Sequence, residues 1–372
     1  MNFKNIYLIF FQFLKARYNF KKIRKKSIVI YNEDSSQLIA DFLDSADYYI
    51  LDTSLKYINF RILLKSFIKY NFKWKPKFYF YTFLSELSPS YIITMVDNDL
   101  KFWNIKKYIK NTETILIQNG WRDNLLDIFS ELSPREYNSF NVDQMFLFCK
   151  KYEDLYKKYI IGKTHTIGSM RSNKFEYSKN TINEVIFIST VKNTNENLIQ
   201  LKPVQIVFPL LCKIFKEKKI KFKVLGRTLP IDPSEEKFYR NMSNDFTFIN
   251  KSKETHKCYK YIDECRLVIS IDSTLGYESL SRGNRTAFFT IRGEDLENKS
   301  TDFGWPNKLD DLGPFWTNIY NEDYIEKIID YLLNVSDKEW NKIIAKYNIT
   351  CMPFDKGNKI FKKYINEVKF NN

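Results

Sequence analysis

The run L-V-I-S-I-D-S-T-L-G-Y-E-S-L, residues 267–280, ends an apolar stretch in Asp272, Ser273 and Thr274 and then restarts with helical spacing. A strand predicted over Leu267–Ile271 delivers these polar residues to its carboxyl end. The helix behind it presents backbone N–H groups without intrahelical partners and a positive dipole end, which together favour an anion. Ser273 and Thr274 could donate to a phosphate, Gly276 would let the backbone approach closely, and Glu278, expected in the first turn, could accept from ribose hydroxyls. The same residue types are favoured helix N-caps, and an early Glu suits the dipole, so the pattern alone leaves capping and ligand binding both open.

Other residues could share such a site. Gln118-Asn119-Gly120, with Arg122 behind it, follows the strand-like Ile115–Ile117, and Asn-Gly is also a common turn pair. Asp97 and Asp99 in T-M-V-D-N-D offer a base or an acceptor-binding carboxylate, or else the cap of a helix starting near Lys101. Ser169 and Arg171 in I-G-S-M-R-S-N, Lys192, and Arg227 in V-L-G-R each follow a strand or loop. A guanidinium there could hold a phosphate bidentately, although a solvated surface charge is the usual fate of Arg and Lys. Of the two histidines, His165 could act as a base, whereas His256 lies in a charged helical stretch and reads as exposed. No P-loop, zincin or α/β-hydrolase motif occurs.

The elements that must position these residues alternate. Strands are predicted at 27–31, 48–51, 77–81, 91–96 and 114–118, with helices at 36–43, 59–70, 102–109 and 125–129. A charged helical stretch, 142–159, and a polar segment, 162–183, come next. Strands then resume at 184–189, 219–225, 246–248, 267–271 and 286–290, separated by helices at 203–217, 235–242, 257–264 and 276–282. Apolar strands alternating with helices imply parallel sheets covered on both faces. The expected fold class is α/β: two tandem Rossmann-like doubly wound domains with C-terminal helices. The expected divisions are a basic amphipathic segment 1–26, a first domain 27–180, a nucleotide-binding domain 181–322, and helices 323–372 broken near 348–357.

Composition agrees with a large folded chain: 372 residues, 44% hydrophobic, 17% aromatic, with only ten Gly and ten Pro. The net charge of +15 favours an anionic partner, and a Lys/Asn/Ile/Phe/Tyr-rich composition accounts for part of it. The five cysteines, Cys149, Cys212, Cys258, Cys265 and Cys351, form no C-x-x-C pair, so neither a disulfide framework nor a zinc site is expected, and a cytoplasmic setting follows. The apolar stretch Ile6–Leu14 is too short to span a bilayer and has no cleavage site behind it. Followed by Lys15, Arg17, Lys21, Lys22, Arg24, Lys25 and Lys26, it fits a helix lying on an anionic membrane, or equally a first helix packed on the domain.

The segment I-D-S-T-L-G-Y-E-S-L-S-R-G resembles the S-S/T-x-x-G-x-E-A-L-x-x-G motif of bacterial two-domain glycosyltransferases of the GT-B type. It is especially similar to capsule-type Kdo transferases and to surface carbohydrate biosynthesis proteins, with a counterpart also for Phe303-Gly304-Trp305. Gln118-Asn119-Gly120-Trp121-Arg122 resembles E-D-G-F-x-R, which in the Kdo transferases carries acidic residues at the reaction centre. Here both acids are amides, which can neither attack an anomeric carbon nor serve as a base. The resemblance places Asn119 at that centre, with Asp97 or Asp99 as the alternative carboxylate. Asp-x-Asp also resembles the metal motif of single-domain transferases, but the tandem layout argues against that class and no metal is expected.

The resemblance implies a nucleotide-sugar co-substrate, CMP- or UDP-linked, with no other cofactor, and a lipopolysaccharide, capsule or lipid-linked glycan acceptor at the inner membrane face. In related CMP-sugar transferases a His-Pro pair lies near the Arg227 region; here Pro230 stands without a His. A sugar-nucleotide epimerase shares the layout but needs carboxylates and a histidine grouped in the cleft. A nucleic-acid-binding or assembly protein would need basic-aromatic stripes, and no nucleic acid is expected.

Overall fold

Two sheets built from consecutive stretches of chain organise the computed structural model, which describes residues 15–34, 36–43, 48–72, 75–125, 127–177, 181–191 and 198–370. The first stretch runs through β1 (Arg17–Asn19), β2 (Ile28–Tyr31), β3 (Tyr48–Leu51), β4 (Tyr57–Asn59), β5 (Tyr91–Thr94), β6 (Glu113–Ile117), β7 (Phe140–Leu147) and β8 (Ile160–Thr166). Six of these form a parallel sheet in the order β3-β2-β5-β6-β7-β8, while β1 and β4 pair separately.

The second stretch supplies β9 (Ile182–Ile188), β10 (Lys221–Leu225), β11 (Thr247–Ile249), β12 (Cys265–Ser270), β13 (Thr286–Phe289), β14 (Leu312–Gly313) and β15 (Trp316–Thr317). Their order is β11-β10-β9-β12-β13-β15-β14, with only β14 antiparallel to its neighbour. Strand order turns back between β2 and β5 in the first sheet and between β9 and β12 in the second. Open α/β sheets bind ligands at such reversals, outside the carboxyl ends of the strands.

The expected class, two Rossmann-like doubly wound halves with terminal helices, is the one observed. Individual elements differ. Residues 77–81, expected as a strand, belong to the helix Pro76–Leu87, which buries Tyr79, Phe80, Tyr81, Phe83, Leu84 and Leu87. A helix buried nearly all round shows no 3.6-residue polar face, so its sequence reads as a continuous apolar run. The charged stretch 142–159 is not one helix but most of β7 followed by the helix Lys150–Tyr159, and the polar segment after it contains β8. Expected helix 125–129 is reduced to the single turn Ile128–Ser130.

Of the N-terminal segment, residues 1–14 lie outside the described residues, and Arg17–Asn19 is a strand paired in parallel with Tyr57–Asn59, not a helix. The terminal helices Glu322–Asn334, Asp337–Cys351 and Lys359–Phe370 do not form a unit of their own. Phe361 and Ile365 of the last one are buried with Ile28, Ile30, Ile93, Ile115, Ile117 and Phe146, so the chain crosses back to cover the first sheet. Among the described residues no helix is long and apolar enough to cross a membrane.

Candidate functional site

A cavity of about 340 Å³ opens beyond the carboxyl ends of β9, β10, β11 and β12. The second half lines it with Ser189, Arg227, Lys251, Tyr259, the run Asp272–Leu275 and Glu278, and the first half adds Asn119, Trp121 and Arg171. It lies at the β9/β12 reversal and between the two halves, where two independent rules place ligands. A wider depression of about 890 Å³, lined by Lys106, Asp143 and Lys163 among others, lies toward the amino ends of β6, β7 and β8, and none of the predicted site residues reaches it.

The opening stretch both caps a helix and walls the cavity. Ser273 is the N-cap of the helix Thr274–Ser281: its Oγ accepts from Leu275 N at 3.3 Å, while its own N donates to Ser270 Oγ at 3.1 Å. Thr274 Oγ1 accepts from Trp121 N at 2.9 Å, which leaves the hydroxyl proton to donate elsewhere. Asp272 pairs with Arg292. Glu278 falls in the second helical turn and not the first.

Gly276 has a different reason from the one expected. A Cβ there would lie 2.5 Å from Ser270 Cβ and Oγ and 3.1 Å from Phe288 Cε1, so the glycine lets the helix pack against β12 and β13, away from the cavity.

Three cations line the cavity. Arg227 donates Nη1 to Thr190 O at 2.8 Å, and its loop is fixed by the buried carboxylate of Glu235, which accepts from Arg227 N at 2.7 Å and from Thr228 N at 3.0 Å. Arg171 enters from the first half. Lys251, two residues beyond β11, was not anticipated. The signal that picked out Arg227, a basic residue just past a strand, applies to it equally. Burial, with Arg171 and Arg227 nearby, holds its ammonium below the usual lysine range. Lys192 lies outside the described residues.

Glu278 is buried, accepting from Ser169 Oγ and, at 3.0 Å, from Tyr259 OH. Burial raises its pKa, against the opposing pull of Arg171, Ser169, Tyr259 and Arg282. A raised carboxyl binds its proton more tightly in the folded chain, so stability falls as pH climbs from the ordinary carboxylate value through the raised one. Glu278→Gln is therefore expected to flatten the pH dependence of the melting temperature over that window and to gain stability above it. A pH series of thermal melts with an unchanged slope in the variant would contradict this.

The opposite wall departs from expectation. Asp97, read as a base, is fully buried. Its Oδ2 accepts from Arg122 Nε at 2.8 Å and Tyr156 OH at 2.5 Å, and its Oδ1 from Asn119 N at 3.1 Å and from Arg122 Nη2. Arg122, read as a phosphate ligand, spends its guanidinium on Asp97, Asp127 and Asn119. Asp99 caps the helix Leu100–Trp103 through Lys101 N.

Gln118 is also buried. Its Nε2 donates to Gly120 O at 3.0 Å while Oε1 accepts from Phe148 N at 2.9 Å, a pair of roles that an ionised carboxylate cannot fill. A Cβ on Gly120 would come no nearer to another atom than 3.4 Å, from the flexible Arg122 guanidinium, so no clash there demands a glycine. Ser169 positions Glu278 and caps the helix Met170–Lys174. His165 stacks on Phe146 with its Nε2 2.9 Å from Gln144 Oε1, away from the cavity. His256 is exposed, as read.

Asn119 and the unpredicted Trp121 are what the turn presents to the cavity. Trp121 stacks on Tyr277 across the halves, with centroids 3.5 Å apart and planes 6° apart.

A family model described as "putative O-antigen biosynthesis protein" matches residues 115–369, from β6 to the last helix. The chain belongs to that family. The match takes in the Gln118–Arg122 turn and the whole second half of this O-antigen biosynthesis family member. No curated protein matches it by sequence.

Solved structures share its fold at low identity. One, titled a "putative UDP-N-acetylglucosamine 2-epimerase" from Listeria monocytogenes, aligns at 11% identity over 93% of this chain and 98% of its own, with TM-score 0.54. A co-structure of S. aureus MnaA with UDP aligns at 12% identity over 93% and 96%, with TM-score 0.53. The wall teichoic acid polymerase TagF aligns at 11% identity over 93% and 89%, with TM-score 0.51. These likenesses give the O-antigen family chain a two-domain GT-B-like architecture.

Proposed function

We propose that the protein is a glycosyltransferase that takes a sugar from a nucleotide-activated donor and adds it to a cell-surface glycan or lipid-linked glycan acceptor. The observation that carries this reading is the cavity at the β9/β12 reversal, where Arg171, Arg227 and Lys251 face the start of the helix Thr274–Ser281. Cations and a helix N-terminus suit a diphosphate, and would stabilise the charge that develops on it as the sugar departs. Glu278 lines the same wall, with its carboxylate oxygens accepting from Ser169 and Tyr259, and a ribose hydroxyl would have to share one of those oxygens. Membership of an O-antigen biosynthesis family supports a surface-glycan acceptor. The epimerase reading is weaker because both histidines of the sequence lie away from the cavity.

The test is a panel of CMP, UDP and GDP with thermal melting as readout. The matching nucleotide at a hundred times its Kd should stabilise the protein by about 2.7 kcal/mol. Arg227→Ala and Lys251→Ala should each weaken binding about ten- to hundredfold, the loss expected for a hydrogen bond to a charged group. Because Lys251 is held below the usual lysine range, its contribution should fade as pH rises through that lowered value, earlier than an ordinary lysine would allow. No stabilisation by any of the three would sink the reading. Sugar nucleotides added next should release free nucleotide when acceptor is present, whereas an epimer as product would move the protein to the other class.

A further inference from the structure

Charge is distributed very unevenly along this chain. Residues 1–32 and 53–85 contain fifteen of the 59 Lys and Arg and none of the 44 Asp and Glu, so the remaining 44 basic residues balance the 44 acidic ones and the whole +15 resides in these two segments.

Among the described residues the fold brings parts of the two segments together. β1 pairs with β4 in parallel, Phe20 packs its ring 5.3 Å from Phe60, and the helix Phe60–Lys69 follows β4 directly. That helix buries Ile62, Leu63 and Ser66, yet its outward face is not purely polar. Leu64 and Ile68 stand exposed among Arg61, Lys65 and Lys69, and Phe72 follows at the helix end. Ile68 is 69% exposed, Phe72 77% and Phe20 61%. Lys65 pairs with Glu86 at 2.7 Å and Lys56 with Glu33 at 3.7 Å, but Arg61 and Lys69 add further positive charge to the same face, and a solvent-facing helix surface seldom carries exposed aliphatic and aromatic side chains among basic ones.

We propose that β1, β4 and the helix Phe60–Lys69 form a docking surface for an anionic lipid bilayer. Leu64, Ile68 and Phe72 enter the headgroup region and the surrounding Lys and Arg neutralise acidic lipids. Aliphatic anchors favour a bilayer over single-stranded RNA, whose bases need flat aromatic platforms and gain little from Leu or Ile. The surface lies on the first half, apart from the cavity, and the proposal stands whatever donor the cavity takes.

The test is flotation of the full chain with vesicles of phosphatidylcholine alone and with one third phosphatidylglycerol. Binding to the anionic vesicles alone, weakening with salt, is expected. Arg61→Gln and Lys69→Gln should each cost about fivefold in partitioning, and the triple variant Leu64→Glu, Ile68→Glu, Phe72→Glu should abolish it without lowering the melting temperature. Three results would overturn the proposal: no flotation with anionic vesicles, flotation undiminished in the triple variant because residues 1–14 alone carry it, or displacement of the protein from vesicles by single-stranded RNA.

Discussion

Asp97→Ala is expected to lower the free energy of unfolding by about 3–5 kcal/mol, the loss typical of breaking one side of a buried ion pair. The carboxylate is fully buried and serves Arg122, Tyr156 and Asn119 at once. Its removal leaves the Arg122 guanidinium with only Asp127 and Asn119, in a place where its side chain is 11% exposed. Asp97→Asn should be nearly as damaging, since its amide would point donors at donors. Urea unfolding decides the point: the midpoint should drop in both variants with little change of slope. An Asp97→Asn protein of full stability and lost turnover would instead return this carboxylate to the chemistry.

Arg282→Ala is expected to cost a similar amount, about 3–5 kcal/mol, and Arg282→Lys most of it. The guanidinium is buried. It donates twice to Asp263 and also to the carbonyls of Ser172 and Phe175 at 3.0 Å and of Glu176 at 2.9 Å. Lysine has three donors on one atom and cannot span a carboxylate and three carbonyls in a plane. Because those carbonyls lie just before β9, where the chain passes between the halves, both variants should lose amide-exchange protection over residues 172–176 ahead of global unfolding. Unchanged protection there would show that Arg282 does not hold the crossing.

Much of the fold was readable because parallel strands buried on both faces leave unbroken apolar runs: β2, β5, β6, β9, β12 and β13 all stand out. The helix Pro76–Leu87 was misread for the same reason, its polar face being absent. β7 and β8 were hidden by their polar positions, Asn141, Asp143 and Gln144 in one and Lys163, Thr164 and His165 in the other. On the second-half wall of the cavity, residue type and position picked out Arg227, Ser273 and Glu278, which line it, and a basic residue just past a strand would have picked out Lys251 as well. On the other side they did not. Whether Asp97 faces solvent or Arg122 depends on a pairing across 25 residues of sequence. The roles of Gln118 likewise depend on Phe148, 30 residues away and just past the end of the neighbouring strand β7. Such pairings are set by sheet register, which no local pattern records.

The return of the last helix to the first sheet bears on how the chain is made. The first half leaves the ribosome long before residues 359–370 are made, so the sheet face formed by Ile28, Ile30, Ile93, Ile115, Ile117 and Phe146 lacks Phe361 and Ile365 until that helix has been synthesised. Each of those two side chains contributes about 1.5–3 kcal/mol on burial. The nascent first half therefore waits, with an apolar face partly bare, for a helix more than 200 residues downstream of β7. Over that interval the exposed apolar face is a surface on which aggregation can start.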